Sequence, residues 1–152
     1  MTPSSSWSGP FAEFGCVVTE SAIDYNGHMN DAAYAQVLAD ANELFLDALG
    51  LSVSYRERTG CALYTVEMTI RFRQEVSLGQ TLRGESWLSS HDAKRVGVHT
   101  RIIAADGGTV ATGDTLYLHV DTAAGGVRPF PEDRAALLAE VRTCHADSLP
   151  AR

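Results

Sequence analysis

The sequence predicts an α+β fold in which one long helix is wrapped by an antiparallel sheet. Two periodicities point to it: a single long stretch of helical spacing behind a polar loop, and four later stretches of strand spacing separated by tight turns. The length, 152 residues, suits one core and is short for two.

Residues 1–10, MTPSSSWSGP, carry no basic start followed by an apolar run and are expected to be a flexible N-terminal tail, with the domain over 11–152. Phe11 to Thr19 is rich in β-branched and aromatic residues and predicts a short strand. From Ala32 the apolar residues Ala33, Tyr34, Val37, Leu38, Ala41, Leu44, Phe45, Ala48 and Leu49 recur at helical spacing, and Gly50 marks the stop. Between Tyr64 and Phe72 apolar and polar residues alternate, which sets Glu67 opposite Val66 and Met68. Strands follow over Thr81–Ser90, Arg95–Ala105 and Thr109–Asp121, separated by the turn signals HDAK and ADGG. In PFPEDRAALLAEVR, Pro131 and the acids behind it predict a short closing helix.

Composition narrows function. An apolar fraction of 45% with 20% charged residues excludes a disordered or coiled-coil chain. Nineteen acidic against 12 basic residues give a net charge of -7, so neither nucleic acid nor a membrane surface is an expected partner. Cys16, Cys61 and Cys144 are odd in number and widely spaced, which fits a reducing cytoplasm and neither a disulfide framework nor a zinc site. His91, His99, His119 and His145 form no metal-ligand pair, and no metal or cofactor is expected; His99 and His119 are expected on a polar face or an oligomer contact. GxSxG is absent, and GGTVATG lacks phosphate-loop spacing.

The chemistry concentrates in DYNGHMN, residues 24–30, where turn formers and polar reagents sit between the first strand and the long helix. With the helix and the meander behind it, this loop resembles the thioesterase branch of the hot-dog fold, a curved antiparallel sheet around a central helix. The matching residues are Asp24, Asn26, Gly27, His28 and Asn30, in a spacing similar to that of acyl-carrier-protein thioesterases. The stretches HMNDAAYAQVLADANELFLDALGL, TVEMTIRFRQEV and ATGDTLYLHVDTAAGGVRPFP extend the similarity to thioesterases that hydrolyse betainyl-CoA in carnitine catabolism.

Thioester hydrolysis needs water or a carboxylate at the carbonyl carbon and hydrogen-bond donors where the oxyanion develops. Asp24 can act as general base or as nucleophile. Backbone N–H groups around Gly27 to Asn30, at a helix N-terminus, can supply the donors. Asn26 and His28 can orient the carboxylate, place the water or donate to the thioester oxygen. The resemblance adds Glu67 as a further catalytic residue, and Gly27 and Asn30 as substrate-binding positions. Each residue also has a plain structural role available: Asn30 or Asp31 as helix N-cap, Asp24 as a turn brace, His28 as a loop histidine, Glu67 as an exposed sheet charge.

The implied substrate is a small acyl-CoA, betainyl-CoA first. Arg71, Arg73, Lys94, Arg95 and Arg128 are available to its phosphates, and Tyr64, Phe72, Trp87 and Tyr117 are available as aromatic walls for a trimethylammonium group. The resemblance implies a homodimer or homotetramer with sites at the subunit interface. Rival readings are a thioesterase for another short-chain or aromatic acyl-CoA, a hot-dog hydratase, and a non-catalytic acyl-CoA-binding module.

Overall fold

Five antiparallel strands stand in the order β1-β3-β4-β5-β2, with a two-residue sixth strand on β5, in the computed structural model, which describes residues 7–151. The elements are β1 (Phe11–Val17), α1 (Asp31–Ala48), α2 (Val53–Thr59), β2 (Cys61–Phe72), β3 (Thr81–His91), β4 (Arg95–Ala104), β5 (Thr109–Asp121), β6 (Gly126–Val127) and α3 (Glu132–His145). The expected helix over a curled antiparallel sheet is what the chain adopts. Of the expected tail, residues 1–6 lie outside the described residues. Trp7 packs edge-on against Phe45 and His145, each at a ring-centroid distance of 6.2 Å.

α1 buries Tyr34, Leu38, Ala41, Asn42, Phe45 and Leu46, a stripe of helical spacing laid on the inner face of the sheet. Leu44 and Ala48, expected in that stripe, face outward instead, and the polar Asn42 takes the inner place. Asn42 fits there because its amide is fully used. It donates to Thr115 Oγ1 at 3.1 Å and Tyr117 Oη at 3.0 Å, and accepts from Thr100 Oγ1 at 2.7 Å. Below Leu38 the sheet carries Gly113, where a Cβ would lie 2.9 Å from Leu38 Cδ1, so a glycine lets the helix seat closely. One core cluster surrounds Leu38, with Leu82, Ile102 and Val110; another surrounds Phe45, with Leu88, Val98, Leu138 and Val141 of the closing helix. Burying each such side chain contributes about 1.5–3 kcal/mol.

Three features depart from the sequence expectation. β2 starts at Cys61 and carries a bulge between Thr65 and Glu67, so its alternation switches at Val66. Met68, Ile70 and Phe72 share the inner face with Thr115, Gly113 and Ala111, whereas Glu67 and Tyr64 pair with Leu116 and Leu118 on the outer face. The second departure is α2, seven residues ending at Gly60 with φ 73, too short for periodicity to reveal. Its Tyr55 is 2% exposed and covers the inner end of β5.

The third departure is the burial of the histidines expected on a polar face or an oligomer contact. His99 and His119 are buried by the chain itself. His99 Nδ1 lies 3.0 Å from Asp114 Oδ1, and His119 Nε2 lies 2.7 Å from Tyr55 Oη. His145, also buried, accepts the Leu88 N–H at 2.9 Å through Nδ1. Burial, the largest cause, and the charge of Arg142 push its pKa down against an opposing Gly9 backbone contact, so the imidazole is neutral in the fold.

Candidate active site

Between β1 and α1 the chain turns through Glu20–Ala22, a short 3-10 segment, and then makes a miniature hairpin. Ile23 and Met29 form an antiparallel bridge, and Asp24 N–H donates to the His28 carbonyl at 2.9 Å. Gly27 N–H donates to the Asp24 carbonyl at 3.0 Å, which closes the turn. Gly27 has φ 80, in the left-handed region, so the turn itself requires a glycine there.

Asp24 Oδ1 accepts the Asn26 N–H at 2.8 Å, fixing the carboxylate rotamer while leaving Oδ2 without a hydrogen bond among the described residues. The Asn26 side chain is exposed beside it. His28 Nε2 lies 3.3 Å from Glu75 Oε2, on side chains that are 38% and 78% exposed. Met29 N–H donates to the Val76 carbonyl at 2.8 Å and ties the loop to the segment that follows β2.

Asn30 is the N-cap of α1. Its Oδ1 accepts the Ala33 N–H at 2.8 Å and its Nδ2 donates to the Ala22 carbonyl at 3.0 Å. With both ends of its amide engaged, the Asn30 side chain ties the start of α1 to the preceding loop. The available donors are also displaced from the expected stretch. The N–H groups of Gly27, Met29 and Asn30 are spent within the fold, whereas those of His28, Asp31 and Ala32 have no partner among the described residues. The last two belong to the first turn of an 18-residue helix, whose positive dipole end they form.

The structure thus brings Asp24, Asn26, Gly27, His28 and Asn30 together and sets Glu67 apart. Glu67 is exposed on the outer sheet face, where it lines a recess of about 140 Å³ with Ser89, Ser90 and Gly97. No hydrogen bond or ion pair links it to the loop of its own chain among the described residues. The four aromatic walls do not converge either. Trp87 and Tyr117 are core residues, 2% and 6% exposed. Tyr64 and Phe72 sit on opposite faces of β2, about 26 Å apart at a strand rise of about 3.3 Å per residue.

Beside the loop, between β1 and α1, is a cavity of about 430 Å³ walled by Val17, Val18, Met29, Ala33 and Val37, with the Asp40 carboxylate at its rim. Among the basic candidates, Arg95 pairs with Asp92 and Arg128 with Asp121, whereas Arg71 and Arg73 line one cavity with a residue the sequence did not single out, Arg101. Glu75, next to His28, was likewise missed, since nothing in QEV marks a loop partner.

A carboxylate braced in a loop that leads into a capped helix N-terminus narrows the families to be compared, and the profile of the thioesterase-like superfamily matches residues 17–138. The chain belongs to the thioesterase-like superfamily. Its hot-dog fold is shared with a Staphylococcus aureus protein solved in complex with CoA, at a TM-score of 0.83 and 24% identity over 95% of this chain and 89% of that one. An L-carnitine dehydrogenase/betainyl-CoA thioesterase of Agrobacterium fabrum is 45% identical over 109 residues, which is 72% of this chain and 22% of that protein. A betainyl-CoA thioesterase of Pseudomonas aeruginosa is 29% identical over 81% of this chain and 78% of its own length. This superfamily member therefore spans less than a quarter of the Agrobacterium relative and most of the Pseudomonas one.

Proposed function

We propose that the protein hydrolyses a small acyl-CoA thioester to free acid and CoA, with betainyl-CoA as substrate. The observation that carries this reading is that one loop holds the Asp24 carboxylate, with one oxygen braced and one without a hydrogen bond among the described residues, and leads into the N–H groups of His28, Asp31 and Ala32, which have no partner among them either. A thioester carbonyl placed between them meets a base or nucleophile on one side and an oxyanion site on the other. Asn26 braces Asp24 through its backbone, and His28, held near Glu75, flanks the same turn. The acyl group follows the relatives named betainyl-CoA thioesterase. A cationic acyl group also suits a loop edged by Glu75, in a chain of net charge -7. The unpaired cysteines fit the reducing cytoplasm, where CoA esters turn over.

The test is release of free thiol from betainyl-CoA and from short aliphatic, long aliphatic and aromatic acyl-CoA esters, with loss of the double bond of an enoyl-CoA followed in parallel. Thiol release fastest with betainyl-CoA supports the reading, and consumption of enoyl-CoA without thiol release replaces it by a hydratase.

The active assembly is a homodimer or homotetramer. β2 closes one edge of the sheet with 12 residues, and Tyr64, Val66 and Phe72 on it are each about half exposed. A long apolar edge is a template for strand pairing, and a second copy of β2 supplies the missing neighbour. Glu67 can join the site only from such a partner subunit. Val66→Lys, which places a charge on that edge, is expected to convert the oligomer to monomer by light scattering and to lower thiol release with it. A wild-type protein already monomeric at assay concentration contradicts the assembly.

A further inference from the structure

The registers of β2, β5 and β4 place Arg71, Thr112 and Arg101 in one row on the outer face of the sheet. Arg71 and Arg101 are two strand spacings apart, about 10 Å between backbones, so long side chains from both can reach one anion. Together with Arg73 and the buried edge of His99 they line a cavity of about 290 Å³, closed at one side by Pro150 and Ala151. We propose that this cavity binds a phosphate-class anion, carried by the nucleotide end of CoA or present as free phosphate.

The charges around the cavity leave it cationic. Arg71 lies 3.1 Å from Asp114 Oδ2, and Arg101 binds Glu85 Oε1 at 2.6 Å and 3.1 Å, with its guanidinium carbon 5.4 Å from the centre of the Trp87 ring. Arg83 also pairs with Glu85 at 3.3 Å. Those contacts hold Arg71 and Arg101 in place without consuming all of their donors, since a guanidinium carries five. Arg73 has no ion-pair partner among the described residues; its backbone N–H donates to the Val110 carbonyl at 2.9 Å, which fixes where its side chain starts. Three guanidiniums against two carboxylates shared with other groups is the arrangement that favours forked hydrogen bonding to phosphate oxygens.

Position connects the cavity to the loop. Arg73 is three residues before Val76, whose carbonyl accepts the Met29 N–H, and two before Glu75, which touches His28. Three residues span at most about 11 Å, less than an extended pantetheine arm. Of the three arginines, Arg73 is tied most directly to the loop that carries Asp24, and it is the one we assign to the phosphates of a CoA ester bound there. This link to CoA rests on the proposed thioesterase reading, whereas the anion site itself does not.

The experiment is a calorimetric titration of adenosine 3′,5′-bisphosphate, and separately of inorganic phosphate, into wild type, Arg73→Ala and Arg73→Glu. Because Arg73 is exposed and has no ion-pair partner among the described residues, neither variant should alter folding, which thermal melting checks. The bisphosphate is expected to bind wild type, about tenfold more weakly with Ala, and undetectably with Glu. Binding by the bisphosphate alone assigns the site to the nucleotide, and equal ranking with inorganic phosphate assigns it to free phosphate. No binding of either anion, or the same affinity in all three proteins, overturns the proposal. Kinetics add a second arm: Arg73→Ala should raise KM for an acyl-CoA with kcat unchanged, and leave the corresponding N-acetylcysteamine ester unaffected. The titrations need no turnover, so an absence of hydrolysis would count against the enzyme and leave the anion site readable.

Discussion

Asp24→Asn is expected to lower kcat for thioester hydrolysis by about 100- to 10,000-fold while leaving the melting temperature unchanged. The asparagine retains an oxygen to accept the Asn26 N–H, now at 2.8 Å from Asp24 Oδ1, so the turn closes as before. What it loses is the charge and basicity with which the carboxylate activates water or attacks the carbonyl. Parallel steady-state kinetics and thermal melts separate chemistry from folding. Turnover within a few-fold of wild type would remove Asp24 from the reaction and return it to the role of turn brace. Asp24→Ala serves as the contrast, since it removes the brace as well as the charge and should disturb the loop.

Asn42→Leu is expected to give the largest loss of stability, roughly 3 kcal/mol, from stranding buried hydroxyls. Leucine matches the volume but offers nothing to Thr115 Oγ1 and Tyr117 Oη, which accept from Asn42, or to Thr100 Oγ1, which donates to it. Thr100 in turn lies 2.8 Å from Ser86 Oγ, so the network reaches from α1 through β5 and β4 to β3. Burial pushes the Tyr117 phenol up to about 12, against the bond from Asn42, so the group is neutral at working pH and still needs its partner. At about 2–4 °C per kcal/mol for a chain of this size, the melting temperature should fall by about 6–12 °C. An unchanged melting temperature would mean that the network is not a structural tie.

How much of this was legible in the sequence follows from which interactions are local. α1 and β3 to β5 could be read because a buried face imposes its period on consecutive residues. The loop could be read for a related reason: Asp24, Asn26, Gly27, His28 and Asn30 are close in space because they are close in sequence. Asn42 was hidden, since a polar residue in an apolar stripe is explained only by hydroxyls more than 50 residues away on other strands. The bulge at Val66 was hidden too, because an inserted residue leaves apparent alternation on either side of it. It put Tyr64 on the face opposite the one where Phe72 lies, the face on which Glu67 was expected. Arg101 was invisible as a companion of Arg71 because only the register of three strands aligns them.

The most direct measurement is kcat/KM for thiol release from betainyl-CoA beside 3,3-dimethylbutyryl-CoA, in which a carbon replaces the quaternary nitrogen. Shape and reacting carbonyl are then the same, and only the positive charge differs. Rapid release from betainyl-CoA, at least tenfold favoured over the neutral ester as expected for a cation held near carboxylate or aromatic groups, is what a betainyl-CoA thioesterase predicts. Equal rates would contradict the acyl assignment, and no thiol from either ester would contradict the enzyme itself.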